Sequence, residues 1–317
     1  MTTLECKFTG SLLGLAVGDA LGAPLEEIPK HPSQVKGTVT EMIASNGWLK
    51  LDAGQVTDDT EMMLCIARSI VEKKAFDPQD IAMRFVAWFD DNNISSGSTT
   101  RAAIERLKEG YSWYDAGRNE KGLTFTGNGC VMRCTPVALL NYNDSFSLVA
   151  QSYDQSRITH PHPDCTGSRI FVNALIARCI ASHERNDQKE AAFADAVCAI
   201  SYNETLQNHY QNIPLHSDKT IRQCISGDVR ETVESATYCF LTTTTFEDAV
   251  VKAINLRGDA DTRGAVVGAI AGAYYGETAI PNRWKQKLLD RHKISLQSEL
   301  ELLGRELYYL SSTRRGR

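Results

Sequence analysis

The sequence predicts an all-α protein folded as one domain, residues 1–317, and three observations carry that prediction. Apolar residues recur at helical spacing along nearly the whole chain, and no run alternates convincingly with period two. Residues 257–276, RGDADTRGAVVGAIAGAYYG, carry Gly264, Gly268, Gly272 and Gly276 at every fourth position. Gly10, Gly14, Gly18 and Gly22 repeat that spacing near the N-terminus. Such spacing puts each row on one helical face and leaves a groove without Cβ atoms. A glycine weakens an exposed helix by roughly 1 kcal/mol relative to alanine, so the two rows are expected to pack on each other.

The apolar fraction of 42% and charged fraction of 23% are those of a soluble globular protein. A net charge of −5, with no basic run beyond Arg314, Arg315 and Arg317, gives no strong nucleic-acid signal. Nine cysteines are scattered without a C-x-x-C pair, and no histidine stands at zinc-ligand spacing beside Cys130 and Cys134. That usage points to a reduced, cytoplasmic protein. Residues 8–25 are apolar enough to imitate a membrane or signal segment, but Glu5, Asp19 and the glycines count against it, so no membrane partner is expected.

In chain order, the first helix covers residues 4–22 and stops at Gly22 with Pro24 beyond. Glu26 and Glu27 follow at its C-terminal end, where the helix dipole disfavours negative charge and a cation would be welcome. Residues 29–56 read as a long loop, functional or mobile. It feeds Thr57-Asp58-Asp59-Thr60-Glu61, a helix start with Thr57 or Asp58 as N-cap and Glu61 completing a capping box from Asp58. Further helices are expected over 78–91, 98–109, about 164–184, 187–202 and 217–241, then from Phe246 towards Gly258, and finally over 281–291 and 295–311. Between them, Gly127-Asn128-Gly129 makes a turn into a helix whose backbone N–H groups suit a phosphate, with Arg133 able to add charge. His160 and His162 lie among prolines, in a fixed loop that is a surface turn or a polar contact to a ligand.

One acidic cluster at a helix start is ordinary capping. Here Asp259-Ala260-Asp261-Thr262 repeats the Thr57–Glu61 pattern, and two such clusters feeding apolar helices point to a shared ligand. If Asp58, Asp59, Asp259 and Asp261 converge beside the oxygens of Thr57 and Thr262, all donors are hard oxygens, which favours Mg²⁺, Mn²⁺ or Ca²⁺ over zinc. Counting Glu26, so many carboxylates suit a pair of ions roughly 3.5–4 Å apart. No EF-hand spacing is present.

The sequence resembles the ADP-ribosylglycohydrolases, which include the ADP-ribosylarginine hydrolases. The matching stretches are residues 10–26 (GSLLGLAVGDALGAPLE), 57–62 (TDDTEM), 127–133 (GNGCVMR), 159–161 (THP) and 246–276, spread in family order over nearly the whole chain. The resemblance implies a single compact orthogonal helical bundle with two Mg²⁺ (or Mn²⁺) ions in a central cleft. It implies Thr57, Asp58, Asp59, Asp259, Asp261 and Thr262 as metal ligands, and Glu26, Asp58 and Asp261 as catalytic residues. Gly127, Asn128, Gly129 and Met132 would surround the ADP-ribose diphosphate and distal ribose, with His160 facing the ligand. Two positions depart from the family pattern. Ser95 stands where arginine-cleaving relatives usually carry an aspartate, and is expected at the ligand. Arg257 and Ala260 replace the first glycine and the middle threonine of Gly-Gly-Asp-Thr-Asp-Thr.

The expected function is therefore Mg²⁺-dependent removal of ADP-ribose from a modified protein side chain, arginine first. The substrate would be an ADP-ribosylated protein and the product ADP-ribose. Serine linkages, O-acetyl-ADP-ribose and ADP-ribosylated nucleic acid are alternative substrates, and a catalytically weak ADP-ribose-binding or toxin-immunity protein is the rival reading.

Overall fold

The computed structural model describes residues 2–27, 33, 35–45, 49–91, 96–118, 125–185, 189–223 and 226–313. These contain fifteen α-helices, four short 3₁₀ turns and no strand, with only isolated β-bridges such as Gln55 to Leu289. The first half comprises α1 (Leu4–Gly22), α2 (Asp58–Lys73), α3 (Pro78–Asp90), α4 (Ser98–Lys108), α5 (Thr135–Leu140), α6 (Ser145–Arg157) and α7 (Pro163–Arg185). The second comprises α8 (Lys189–Ala199), α9 (Glu204–Gln211), α10 (Asp218–Ile221), α11 (Val229–Leu241), α12 (Phe246–Ile254), α13 (Ala260–Tyr275), α14 (Asn282–Lys285) and α15 (Gln297–Thr313).

The centre of the protein is the antiparallel pair α1 and α13. Both are buried all round, α1 from Lys7 to Gly22 and α13 from Ala260 to Ala273. The glycine rows meet backbone to backbone. A Cβ added to Gly18 would lie 1.9 Å from the Gly264 carbonyl oxygen, one on Gly268 2.0 Å from that of Gly14, and one on Gly272 1.9 Å from that of Gly10. No real Cβ comes so close, and the contact is reciprocal along three turns. Gly276 leaves the row and ends α13 at a φ of +80°. By length and composition Leu4–Leu25 could cross a membrane, but its apolar window is wholly buried inside the protein.

Local chemistry explains where the predicted elements shift. The helix expected over 217–241 is divided: Asp228 caps α11 by accepting from the Arg230 N–H, after the break marked by Gly227. Residues 204–211, between the helices expected over 187–202 and 217–241, form α9, capped by Asn203. The helix expected over 281–291 stops at Lys285, because residues 286–296 turn back to pair with the loop before α2. There the Val56 N–H donates to the Leu289 carbonyl and the Leu289 N–H to that of Gly54. Glu61 makes no capping box; its carboxylate accepts from Arg291 and from the Trp88 indole.

The helix contact has a direct test. Gly268→Ala is expected to destabilise the protein by about 3 kcal/mol or more, since the clash is with backbone that cannot swing aside. Gly97→Ala, with nothing within 4 Å of its Cβ position, should change stability by less than about 0.5 kcal/mol. Urea unfolding that found the two variants equal would show that the rows are not in contact.

Candidate active site

Antiparallel packing brings the C-terminal end of α1 against the N-terminal end of α13, with Gly22 beside Ala260 and Gly18 beside Gly264. The start of α2 joins them through Asp19, a wholly buried carboxylate in the last turn of α1. Asp19 accepts from the Thr57 and Thr60 N–H groups, each at 3.1 Å, and from both hydroxyls, Thr57 Oγ1 at 2.9 Å and Thr60 Oγ1 at 2.5 Å. It therefore caps α2 from another helix, satisfying N–H groups that a helix start leaves open. In the sequence, Asp19 counts only against a membrane segment. The available signal was a lone acid in a helix otherwise fit for burial, which needs partners.

Around this junction the two acidic clusters share one cavity of about 250 Å³. Asp58 and Asp59 come from the first turn of α2, Asp259 and Asp261 from the start of α13, and Glu26 from the turn after α1. Thr262 lines the cavity beside them, whereas Thr57 stands behind, its hydroxyl turned to Asp19 and within 3.1 Å of Asp59 Oδ2. Burial, then the charges of Asp19, Asp58 and Asp259, push the Asp59 carboxyl well above the usual carboxylate range, against a hydrogen bond from Thr262. Burial, then Glu26, Asp59 and Asp259, do the same to Asp261. Burial raises Asp19 to about 6 in spite of its four donors. Two helix N-termini aimed at the acids offset part of this repulsion.

The opposite wall is neutral. Gly127 leads into a 3₁₀ turn, Asn128–Cys130, whose Asn128 side-chain amide donates to Thr232 Oγ1 and Asp259 Oδ2, both at 2.9 Å. Asp259 consequently makes no cap bond to its own helix. The Asn128 N–H donates to the Gly227 carbonyl, so that group is not open to a phosphate as expected. Met132 and His160 complete the wall, with Gly227 and the Ser98 and Thr99 end of α4, none of which was singled out for this role except Met132 and His160. A Cβ on Gly129 would lie 2.8 Å from His160 Cε1, which explains the glycine. Arg133, expected to add charge at the turn, is instead wholly buried beneath it. His162 accepts from the Asp164 N–H at the start of α7, which is a capping role. Ser95 lies outside the described residues.

Arg257 stands where the family pattern has a glycine, and its backbone keeps the glycine conformation. Its φ is +71°, in the left-handed region, where a residue with a Cβ is strained by about 1–2 kcal/mol. Its guanidinium donates to the Val35 and Gly37 carbonyls, both at 2.8 Å, tying the long loop before α2 to the turn that opens α13. Next to it the Glu27 N–H donates to the Gly258 carbonyl at 2.8 Å, which fixes the backbone beside Glu26.

The donors at the acidic wall are all oxygens, and Asp59 Oδ1 is buried with no hydrogen-bond partner among the described residues. An unpaired buried carboxylate oxygen among like charges fits a hard divalent cation. As the side chains stand, no three His, Cys, Asp or Glu side chains among the described residues are grouped to hold one ion, and Asp59 Oδ2 is engaged by the Thr57 hydroxyl. Larger cavities exist, one of about 540 Å³ lined by Tyr142, Leu148 and Ala177, but none of the others gathers such a set of carboxylates.

The ADP-ribosylglycohydrolase family model matches residues 1–316. The chain is 33% identical over 285 residues to the ADP-ribosyl-(dinitrogen reductase) glycohydrolase of Rhodospirillum rubrum, spanning 88% of this chain and 89% of that one. It is also 33% identical over 313 residues to an ADP-ribosylarginine hydrolase of Serratia proteamaculans, spanning 96% and 80%. A solved ADP-ribosylglycohydrolase-related protein complex superposes with a TM-score of 0.79 at 31% identity, over 98% of this chain and all of that one. Agreement over nearly the full length, on an all-helical scaffold that gathers the acids in one cavity, makes this chain a glycohydrolase enzyme of the ADP-ribosylglycohydrolase family.

Proposed function

We propose that the protein hydrolyses the bond between ribose C1″ of ADP-ribose and the guanidinium of a modified protein arginine, with two Mg²⁺ or Mn²⁺ ions as cofactors. The observation that carries the reading is the shared cavity, in which acids from both ends of the sequence face the glycine turn and His160. The arginine linkage is taken from the relative named for it. Asp58, Asp59, Asp259 and Asp261 would hold the ions, with Thr57 and Thr262. Bound there, the ions would supply positive charge to orient the ribose hydroxyls and to lower the pKa of water. Glu26 accepts the proton of the attacking water in this reading; its support is its place on the cavity wall and the effect of its charge on Asp261. Asn128 keeps the Asp259 carboxylate turned into the site. Water adds at C1″, the C–N bond breaks, and the proton taken up by Glu26 passes to the leaving guanidine nitrogen, which restores the Glu26 carboxylate. Serine in place of aspartate at position 95 motivates a second reading, a catalytically weak protein that mainly binds ADP-ribose.

Incubation with arginine-ADP-ribosylated protein separates the two. Release of free ADP-ribose is expected with Mg²⁺ and not with excess chelator, and Asp261→Ala should abolish it in a protein that still folds. Tight ADP-ribose binding without release would favour the rival, and release that persists in chelator would rule out the metal role.

The raised carboxyls give a pH signature. Asp19 has a folded pKa of about 6 against 3.8 unfolded, so the folded state binds more protons between those values. The stability this contributes is complete below the unfolded pKa and is lost as pH rises through about 6, by roughly 3 kcal/mol in all. Asp59 and Asp261 shift in the same direction. In chelator, the thermal midpoint should therefore fall between about pH 4 and pH 8, and Mg²⁺ should raise it more at about pH 8 than at about pH 5. A Mg²⁺ effect independent of pH would contradict the assignment.

Asp59→Asn should remove turnover while raising the midpoint in chelator at about pH 8, because it deletes one of the repelling charges. A fall in both would mean that Asp59 stabilises the fold.

A further inference from the structure

The neutral wall of the cavity rests on a buried arginine that hydrogen-bonds no carboxylate. Arg133 follows the glycine turn and is wholly buried. Its Nη2 donates to Thr159 Oγ1, its Nη1 lies 3.5 Å from Met62 Sδ, and its guanidinium sits 4.8 Å from the centre of the Phe85 ring. Its Nε has no partner among the described residues, and Asp58 acts on it only through space. Burial lowers its pKa to about 10, which leaves it charged at neutral pH. Keeping a guanidinium in such surroundings is costly. The polar side chain it holds is that of Thr159.

Thr159 is wholly buried, and its hydroxyl has one proton to give and two lone pairs. Arg133 donates into one lone pair. The other neighbour is His160 Nδ1, 2.7 Å away. If Nδ1 carried a proton, it would donate to the hydroxyl, and the Thr159 proton would be left buried with no acceptor among the described residues. If Nδ1 is bare, the hydroxyl donates to it and every group in the chain is satisfied. The ring is neutral, because burial first and then the charge of Arg133 lower its pKa to about 3. A neutral ring with a bare Nδ1 has its proton on Nε2. That atom is on the cavity side, 3.3 Å from the Cβ position of Gly127 and 3.2 Å from that of Gly129.

We propose that Arg133 and Thr159 are positioning residues that fix the tautomer of His160, so that the cavity wall presents an Nε2–H donor to an oxygen of the bound sugar diphosphate. The donor depends on the relay alone; only the naming of its partner as an ADP-ribose oxygen rests on the proposed function. A lone pair at the same place would repel such an oxygen. Orientation of a histidine by the group behind it is a general way of choosing which nitrogen faces a ligand.

Two-bond ¹H–¹⁵N correlation spectra of the imidazoles test the relay without ligand. His160 is identified as the signal missing from His160→Ala. It is expected as the neutral Nε2–H form from about pH 5 to pH 8. Thr159→Val should move it towards the Nδ1–H form and weaken ADP-ribose binding roughly tenfold, as expected for one lost hydrogen bond to a charged partner. Thr159→Ser should restore both, and Thr159→Val should have no further effect on affinity in a His160→Ala background. An Nδ1–H signal in the unmodified protein would overturn the proposal, and that spectrum stands even where a variant fails to fold. A Thr159→Val protein with unchanged tautomer and affinity would overturn it equally. A changed tautomer with unchanged affinity would remove the ligand contact. An Nε2–H signal in a protein that binds no ADP-ribose would count against the proposed function and leave the tautomer assignment in place.

Discussion

The site depends on a contact between two backbones. Because α1 and α13 touch through glycine, their axes come closer than any pair of side chains would allow, and the ends of the helices are held in fixed register. Gly18 beside Gly264 leaves Asp19 one residue beyond the glycine-to-glycine contact, and Gly22 beside Ala260 puts Glu26 near Asp261. A larger residue anywhere along the rows would part the helices or slide them, and the acids would move with their backbones. Close packing is thus what sets carboxylate separations. The helices also carry the apolar burial that must offset the repulsion at their ends.

That repulsion is large, and the fold handles it with neutral donors. Asp19 takes four hydrogen bonds from Thr57 and Thr60, Asp259 takes one from Asn128, and Asp59 takes one from Thr262. Among the described residues no arginine or lysine lines the cavity, although Arg133 lies behind it. A cationic side chain there would neutralise the acids and also occupy the place of any ion. Hydroxyl and amide donors instead hold Asp19, Asp59 and Asp259 in position. Binding groups kept in a strained, like-charged arrangement lower stability for the sake of function, which is how sites of this kind are recognised.

Much of this was legible in the chain because the signals were local or repeated. Four-residue glycine spacing announced both halves of the central contact, and the two acid-and-threonine clusters announced helix starts with surplus charge. What was not legible was who partners whom. Asp19 looked like a flaw in an apolar helix, yet it accepts from Thr60 and from Thr57, the N-cap of α2, and a bond made across 38 positions leaves no trace in periodicity. Glu61 matched a capping box but is drawn away by Arg291, which lies 230 positions on. Asn128 looked like part of a phosphate turn, while its amide is spent on Asp259 and its N–H on Gly227. Arg257, a departure from a glycine pattern, turned out to occupy the very conformation that asks for glycine and to offset the strain through the Val35 and Gly37 carbonyls.

The two walls of the cavity also constrain each other. On the proposed function the ligand carries a diphosphate, and the acidic wall by itself would repel it. The neutral wall contributes amide, hydroxyl and imidazole N–H donors but, among the described residues, no full charge at the surface. Ligand affinity must then rise with whatever cations the acids hold, and by linkage the ligand must tighten the hold on those cations by the same factor. Asn128 lies across this coupling, since its own amide nitrogen, on the neutral wall, donates to Asp259 of the acidic wall and also to the buried Thr232 behind the cavity. Rotation of Asp259 towards an ion would pull on the turn that faces the diphosphate, and a ligand seated on that turn would fix the Asp259 carboxylate. On the proposed function, then, Asn128 is the side chain through which the two binding events would be felt, because it joins the glycine turn directly to Asp259.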